Sequence, residues 1–465
     1  MAPGKVIGLG LGLLFGALLC VLSPAKVMIA IAALAVTVTL LRQPLWGLLL
    51  FALLATSIPY TTLEMGIRTT LSEAVLGLTW LGVFWQAFIG KTRGLLHWRP
   101  TERALAWLML FSAIPFVVGM LTIHADGNGP VNWVRWLMNL SLLFMVPLLL
   151  RTDADRDKLV VALLLGNLAM LLLSVFMFLK SRNAMSMVPI LTSLKYAHPE
   201  ALLDIFSANY QRMASPWVHP NLTGGALVLF IPMALLYGWT QRGWRRLLGL
   251  SVALLGCAGL LLSISRGAIL ALALVLLWLT YKRVPYSGRI IGLGAAFALA
   301  LVMFYPPLQE RLMTMFSASN ASTEVRFDEY ARFPEAMARY PLGIGFKVDP
   351  PVPGSNLIGI SNLWLNFIYK VGVPGMLLFV LVTVLWWREV RPKGEVRQIS
   401  RDNALWLGTV SGLLAALLTG LFDHYYSFTF VLIGLFWLLM GLSLQQARRL
   451  TSLPGPRPTP EDSQP

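Results

Sequence analysis

Residues 245–283 read RRLLGLSVALLGCAGLLLSISRGAILALALVLLWLTYKR, two apolar runs joined by almost no loop and bracketed by basic residues. A helix rises about 1.5 Å per residue, so runs of about 15–22 apolar residues have the length that crosses a bilayer. Lysine and arginine mark the cytoplasmic side of such spans. That rule puts Arg242, Arg245 and Arg246, and Lys282 with Arg283, inside, and the turn Ser263-Ile-Ser-Arg-Gly267 outside.

The same pattern recurs from end to end. Of 465 residues 57% are hydrophobic and 12% charged, and the mean hydropathy is +0.70. Spans are expected near 6–22, 26–41, 45–60, 72–90, 104–123, 133–150 and 158–179, and again near 221–239, 246–263, 267–281, 289–305, 363–387, 404–421 and 426–444. The fold class is all-α, a polytopic transmembrane helical bundle of about 12–14 spans with a large, partly helical extracytoplasmic loop. With fourteen spans every basic loop falls on one side, including Lys91 to Arg103, Arg388 to Arg401 and the tail at Arg448 and Arg449. Residues 1–450 form one transmembrane domain, and 451–465, Pro-rich and polar, read as a disordered cytoplasmic tail. Lys5 precedes an apolar run without a convincing small-x-small cleavage site, so that run is a span rather than a signal peptide. Cys20 and Cys257 both lie in apolar runs and suggest neither a disulfide nor a metal site. The net charge of +16 reflects basic loops on one face, not a nucleic-acid partner.

The remaining interruptions are external, and two are long, 180–220 and 306–362. No nucleotide-activated substrate is available on that face, so an enzyme there must use an activated, membrane-borne donor. The second loop holds the longest polar stretch, Ser322 to Tyr340. Ser322 or Thr323 can cap it as a helix, Glu324 suits its first turn and Pro341 stops it. Asp328, Arg332, Glu335 and Arg339 share one face as acid-to-Arg pairs four residues apart. Arg326, Tyr330, Phe333 and Met337 share the more apolar face, so Arg326 needs an anionic partner.

Several other external residues can carry chemistry. Arg266 sits at or just inside the outer interface, where an unpaired guanidinium is costly unless it snorkels to headgroups or binds an anion. Ser263, Ser265 and Gly267 leave room for an anion beside it. Arg212 precedes His219-Pro-Asn221, either a helix-starting turn or part of a site. Asp423 beside His424 is either a helix-end pair or an acid orienting a base. Arg212, Arg266 and Arg326 on one face would make a pyrophosphate clamp, because guanidinium forks bind phosphate bidentately. The segment Tyr196 to Tyr210 reads as amphipathic and suited to the membrane surface. No metal-ligand cluster, Walker motif or nucleophile elbow occurs, and no acid falls mid-span as an ion-coupled transporter would have.

In order and spacing these residues resemble the O-antigen ligase and polymerase superfamily of integral membrane glycosyltransferases, from about Arg212 to Gly441. Arg212 with Pro220-Asn221 is similar to the family's lead into an apolar span, and Ser265-Arg266-Gly267 to its Ser-Arg-Gly turn. Arg326 followed by Pro341-Leu-Gly-Ile-Gly345 is similar to its Arg-bearing loop helix and Pro-Leu-x-Gly-x-Gly. Asn362 followed by Gly372-x-x-Gly375 matches the loop's end. Where the ligase pattern has His-Asn this chain has Ser361-Asn362, and Lys370 stands where a Glu often precedes the glycine. The resemblance implies inverting, metal-independent and cofactor-free transfer from an undecaprenyl-pyrophosphate-linked glycan to a glycan or lipid-core hydroxyl at a bacterial inner membrane. Arg212, Asn221, Arg266, Arg326 and Asn362 would bind substrate, and His219, or His424 with Asp423, would replace the missing histidine. His219 is favoured of the two for its place beside Arg212 and Asn221. A transporter or binding protein for lipid-linked glycan, without catalysis, is the alternative.

Overall fold

The computed structural model describes residues 23–64, 68–90, 98–123, 128–196, 199–208, 211–304, 309, 321–347, 357 and 359–452. The expected first span at 6–22, His124, His198, Cys20 and the tail from 453 lie outside the described residues. The helices run α1 Pro24–Arg42, α2 Pro44–Ser57, α3 Leu71–Phe88, α4 Pro100–Phe111, α5 Ala113–Thr122, α6 Gly129–Leu140, α7 Leu142–Leu149 and α8 Asp153–Ser181. They continue with α9 Val188–Ser193, α10 Pro199–Ser207, α11 Pro220–Thr240, α12 Gly243–Ser263, α13 Arg266–Tyr281, α14 Ser287–Phe304, α15 Ala321–Arg339, α16 Leu363–Val390, α17 Arg401–Thr419, α18 Tyr425–Phe428 and α19 Phe430–Ser452. A short antiparallel pair, Thr62–Glu64 with Arg68–Thr70, precedes α3.

Every span expected from 26–41 onward is a helix or an end-to-end helix pair. Among the described residues, nine of these are long and apolar enough to cross a bilayer. Two spans are interrupted at a serine by the same device. At Ser112, between α4 and α5, and at Ser141, between α6 and α7, the hydroxyl bonds the carbonyl three residues back. An indole N–H then donates to that hydroxyl, Trp133 to Ser112 at 2.9 Å and Trp80 to Ser141 at 2.8 Å. Serine back-bonding of this kind competes with the helix ladder and bends it.

α11 and α19 are buried almost throughout and form the centre of the bundle. The outer helices present Leu254, Phe88, Leu293 and Phe304 outward, side chains that water would expel and lipid accepts. Polar ties collect at the two ends. At one, Arg448 reaches both Glu102 and Glu389, Arg245 pairs with Asp157 and Arg449 with Asp153, joining α4, α8, α12, α16 and α19. This end carries the basic loops assigned to the cytoplasm by the positive-inside rule.

The opposite end is more elaborate. Its 184–218 segment folds on itself: Leu202 and Phe206 of α10 pack against Met187, Leu191 and Val218. The amphipathic face expected on the membrane surface is therefore largely covered by the chain's own side chains. α15 lies over the start of α16, with Ala336, Phe333 and Met337 against Ile344, Ile360 and Tyr369. α16 is broken at Val371 and Gly372, the latter at φ 70°, ψ 174°, a conformation essentially confined to glycine. The break frees the carbonyls of Tyr369 and Lys370. The amides of Ile344 and Gly345 satisfy them, each at 2.9 Å. A Cβ on Gly343 would lie 2.6 Å from the Lys370 oxygen and the Gly372 nitrogen. The Pro-Leu-Gly-Ile-Gly and Gly-Val-Pro-Gly motifs are thus two halves of one backbone interlock.

Candidate active site

The site is built where three turns meet: the entry to α11, the α12–α13 turn and the α17–α18 turn, with α15 laid across them. Arg212 is buried, its Nε donating to the Ser263 carbonyl at 2.7 Å and a terminal nitrogen bonded to Asn221 Oδ1. It therefore ties the α11 entry to the α12–α13 turn. His219 closes the entry as the α11 cap, its Nδ1 accepting the Asn221 amide at 3.1 Å. Imidazole replaces the usual short oxygen cap here.

At the α12–α13 turn the chain reverses through Ile264 at φ 50°. Close approach makes the turn possible: a Cβ on Gly224 of α11 would lie 2.4 Å from the Ser265 Cβ. Arg266 begins α13, and its Nη1 is buried without a hydrogen-bond partner among the described residues. Arg326 is its electrostatic neighbour. Two guanidinium groups near one another are mutually unfavourable unless an anion lies between or beside them.

Arg326 pairs with Asp423 among the described residues, with Nη2 to Oδ2 at 3.7 Å. The partner required by its place on the apolar face of α15 is thus supplied in part by the α17–α18 turn. Asp423 also accepts the His424 amide at 2.9 Å, and His424 Nδ1 stands 3.3 Å from Oδ1. Burial alone would raise the Asp423 carboxyl, but His424, the Tyr425 hydroxyl and the Arg326 charge outweigh it and hold the group below its ordinary value.

Asn362 caps α16, accepting the amides of Trp364 and Leu365 at 3.0 and 3.1 Å and donating to the Leu421 carbonyl. Ser361 is held from above by α15: its amide donates to Glu329 at 2.7 Å, and its carbonyl accepts the Tyr330 hydroxyl at 3.1 Å. Burial pushes the Tyr330 phenol up, which keeps it a donor. On the inner side of this loop, a Cβ on Gly359 would lie 3.1 Å from His424 Nε2 and 3.3 Å from Asn366 Oδ1. His424 therefore stands behind the loop in which this chain lacks the family histidine.

The structure brings Arg266, Arg326, Asp423, His424 and the Ser361-Asn362 loop into one neighbourhood. Arg212, His219 and Asn221 brace its edge. Glu329, Tyr330 and Asn366 complete the scaffold. Glu329 follows Arg326 by three residues and was not singled out from the sequence. A second network stands nearby: Glu73, fully buried, takes Arg135 bidentately and Asn139 Nδ2 at 3.0 Å. Its sequence signal is the capping box Thr70-x-x-Glu73 at the start of α3.

Residues 250–380 match the family model described as O-antigen ligase. No curated protein matches the chain. The matched segment carries Arg266, Arg326, the Ser361-Asn362 loop and both glycine motifs. It supports the O-antigen ligase and polymerase superfamily and, with the apolar helices, a multi-pass membrane protein of that general function.

Proposed function

We propose, taking the O-antigen ligase match as the premise, that this protein transfers a glycan from an undecaprenyl-pyrophosphate donor to an acceptor hydroxyl at the extracytoplasmic end of the bundle. The observation that carries the reading is the Arg266 Nη1, buried, unpartnered among the described residues and beside a second guanidinium. An Arg pair of this kind fits a pyrophosphate, whose several oxygens can each take a fork.

In the reaction the acceptor oxygen attacks the anomeric carbon of the donor sugar. The bond from that carbon to the pyrophosphate oxygen breaks with inversion, and the leaving group is undecaprenyl pyrophosphate. Negative charge grows on that leaving oxygen, so Arg266 and Arg326 lower the barrier by electrostatic stabilisation. The acceptor proton passes to His424 Nε2, and the Asp423 carboxylate, 3.3 Å from Nδ1, stabilises the imidazolium that forms. His424 is preferred to His219 because Nδ1 of His219 already accepts the Asn221 amide as the helix cap. Asn362 and the α15 clamp on Ser361 hold the loop that carries the acceptor side.

Purified protein given lipid-linked glycan should release undecaprenyl pyrophosphate and yield extended or transferred chains. Arg266→Lys and Arg326→Lys keep the charge but lose the bidentate fork, and each should lower turnover by about 100- to 1,000-fold at normal protein levels. Full turnover in both Lys variants would refute the clamp. Relocation of donor without release of the pyrophosphate lipid would instead identify a transporter.

A further inference from the structure

A cavity of about 230 Å³ lies beside this site, enclosed by the starts of α6 and α16, the residue before α3 and the α18–α19 junction. We propose that it binds a single anionic sugar ring, carboxylate- or phosphate-bearing, of the acceptor glycan, with Lys370 as the partner of the anion. The proposal rests on the transferase reading for the word acceptor. The site itself rests on the following geometry.

The cavity and the candidate active site share a wall. Asn366 lines the cavity, accepts the Ile360 amide at 3.1 Å and donates to Ser427 Oγ at 2.8 Å. The gap at Gly359 places that same side chain close to His424 Nε2. A ring held in the cavity would therefore direct a neighbouring hydroxyl toward the imidazole.

Two cations line the walls, and only one is accounted for. Arg135 is paired bidentately with Glu73 and stacks over the Phe430 ring at 4.2 Å. The Lys370 ammonium has no carboxylate within ion-pair distance and no hydrogen bond among the described residues; the Tyr369 ring lies 6.0 Å from Nζ. A half-buried ammonium without a counter-charge near a membrane interior still favours an anionic partner. As a compact point charge, lysine takes a carboxylate or phosphate without demanding one orientation.

The other walls suit a sugar. Trp136, Phe367 and Phe430 offer flat apolar faces and Asn132 adds an amide, while the amide of Asn366 is engaged with Ile360 and Ser427. Few polar groups set on aromatic walls are how small-ligand sites fix orientation. The volume is below the ~300 Å³ lower end typical of pockets for drug-sized ligands, which fits one ring and not an oligosaccharide. Arg266 and Arg326 do not line it, so the pyrophosphate site and this one are separate.

The test uses the full-length protein in lipid nanodiscs and saturation-transfer NMR with methyl glucuronide, glucose 6-phosphate and neutral methyl glucoside as probes. At least one anionic probe should bind about tenfold or more tightly than the glucoside, the margin of a charge-assisted hydrogen bond. Lys370→Met should abolish that preference without lowering the apo melting temperature, because the half-buried ammonium it removes has no carboxylate partner among the described residues. Arg266→Lys should leave it intact. Equal binding of all three probes, a preference that survives Lys370→Met, or one that vanishes with Arg266→Lys overturns the proposal. A melting temperature lowered by Lys370→Met also overturns it, since the lysine would then have a structural partner. Lys370-dependent binding with no transfer from any donor would sink the transferase reading and leave the anionic-sugar site standing.

Discussion

His219 and His424 differ in what their ring nitrogens do. Nδ1 of His219 caps α11, whereas His424 lies between Asp423 and the Gly359 gap. His424→Ala is expected to lower turnover by about 100- to 10,000-fold with donor binding nearly intact, the range of lost general-base help. His219→Ala should act mainly through stability, with a loss of about 1 kcal/mol in unfolding free energy as for other N-caps. Parental turnover in His424→Ala would exclude it as the base. Asp423 gives a pH test. Its folded carboxyl lies below the ordinary aspartate value near ~3.9, so its contribution is fully present above that pH and is lost as pH falls through the folded value. Asp423→Asn should therefore lower the melting temperature at pH 7, by a margin that stays constant down to about pH 5 and closes only below about pH 4. A margin that closes between pH 7 and pH 5 would contradict this.

At the scale of elements, the interlock between 341–346 and the break in α16 joins the large loop to the bundle. Gly372 sits in a glycine-only conformation, and its added Cβ would lie 2.8 Å from the Leu342 carbonyl carbon. Gly372→Ala should destabilise by about 1–3 kcal/mol from the backbone strain alone. It should also lower turnover, since the same loop leads through α16 to Lys370, Asn366 and Asn362. Gly292→Ala in α14, where an added Cβ meets nothing within 4 Å, is the control and should be neutral or slightly stabilising. Equal melting temperatures for the two variants would remove the interlock from the account. The interlock brings together two glycine motifs that a polar loop separates in sequence. Each supplies the hydrogen-bond partners the other lacks.

For the whole molecule, the two ends of the bundle have different chemistry. The Arg448, Arg245 and Arg449 ion pairs tie one end together, while Arg266, Arg326, Asp423 and the cavity occupy the other. The positive-inside rule assigns the first end to the cytoplasm. A topology reporter inserted in 306–362 should then read external and one in 388–402 cytoplasmic. The reverse would remove the pyrophosphate-lipid reading, because the site would face the wrong compartment.

The helical class, the spans from 26–41 onward and the turn at Arg266 were fixed by sequence alone, since twenty apolar residues in a row have few other places to be. The apolar face of α15 was legible too, because Phe333 and Met337 repeat at helical spacing and do pack inward. What sequence could not assign was the partner of each charged group. Arg212 meets Ser263 across 51 residues, Ser361 meets Glu329 across 32 and Asn366 meets Ser427 across 61. Such pairings depend on which turns the bundle brings to one end, and periodicity along a single helix carries no record of that. Tertiary packing therefore set His424 behind the loop that ends in Ser361, and left Arg266 and Lys370 as cations without counter-charges among the described residues.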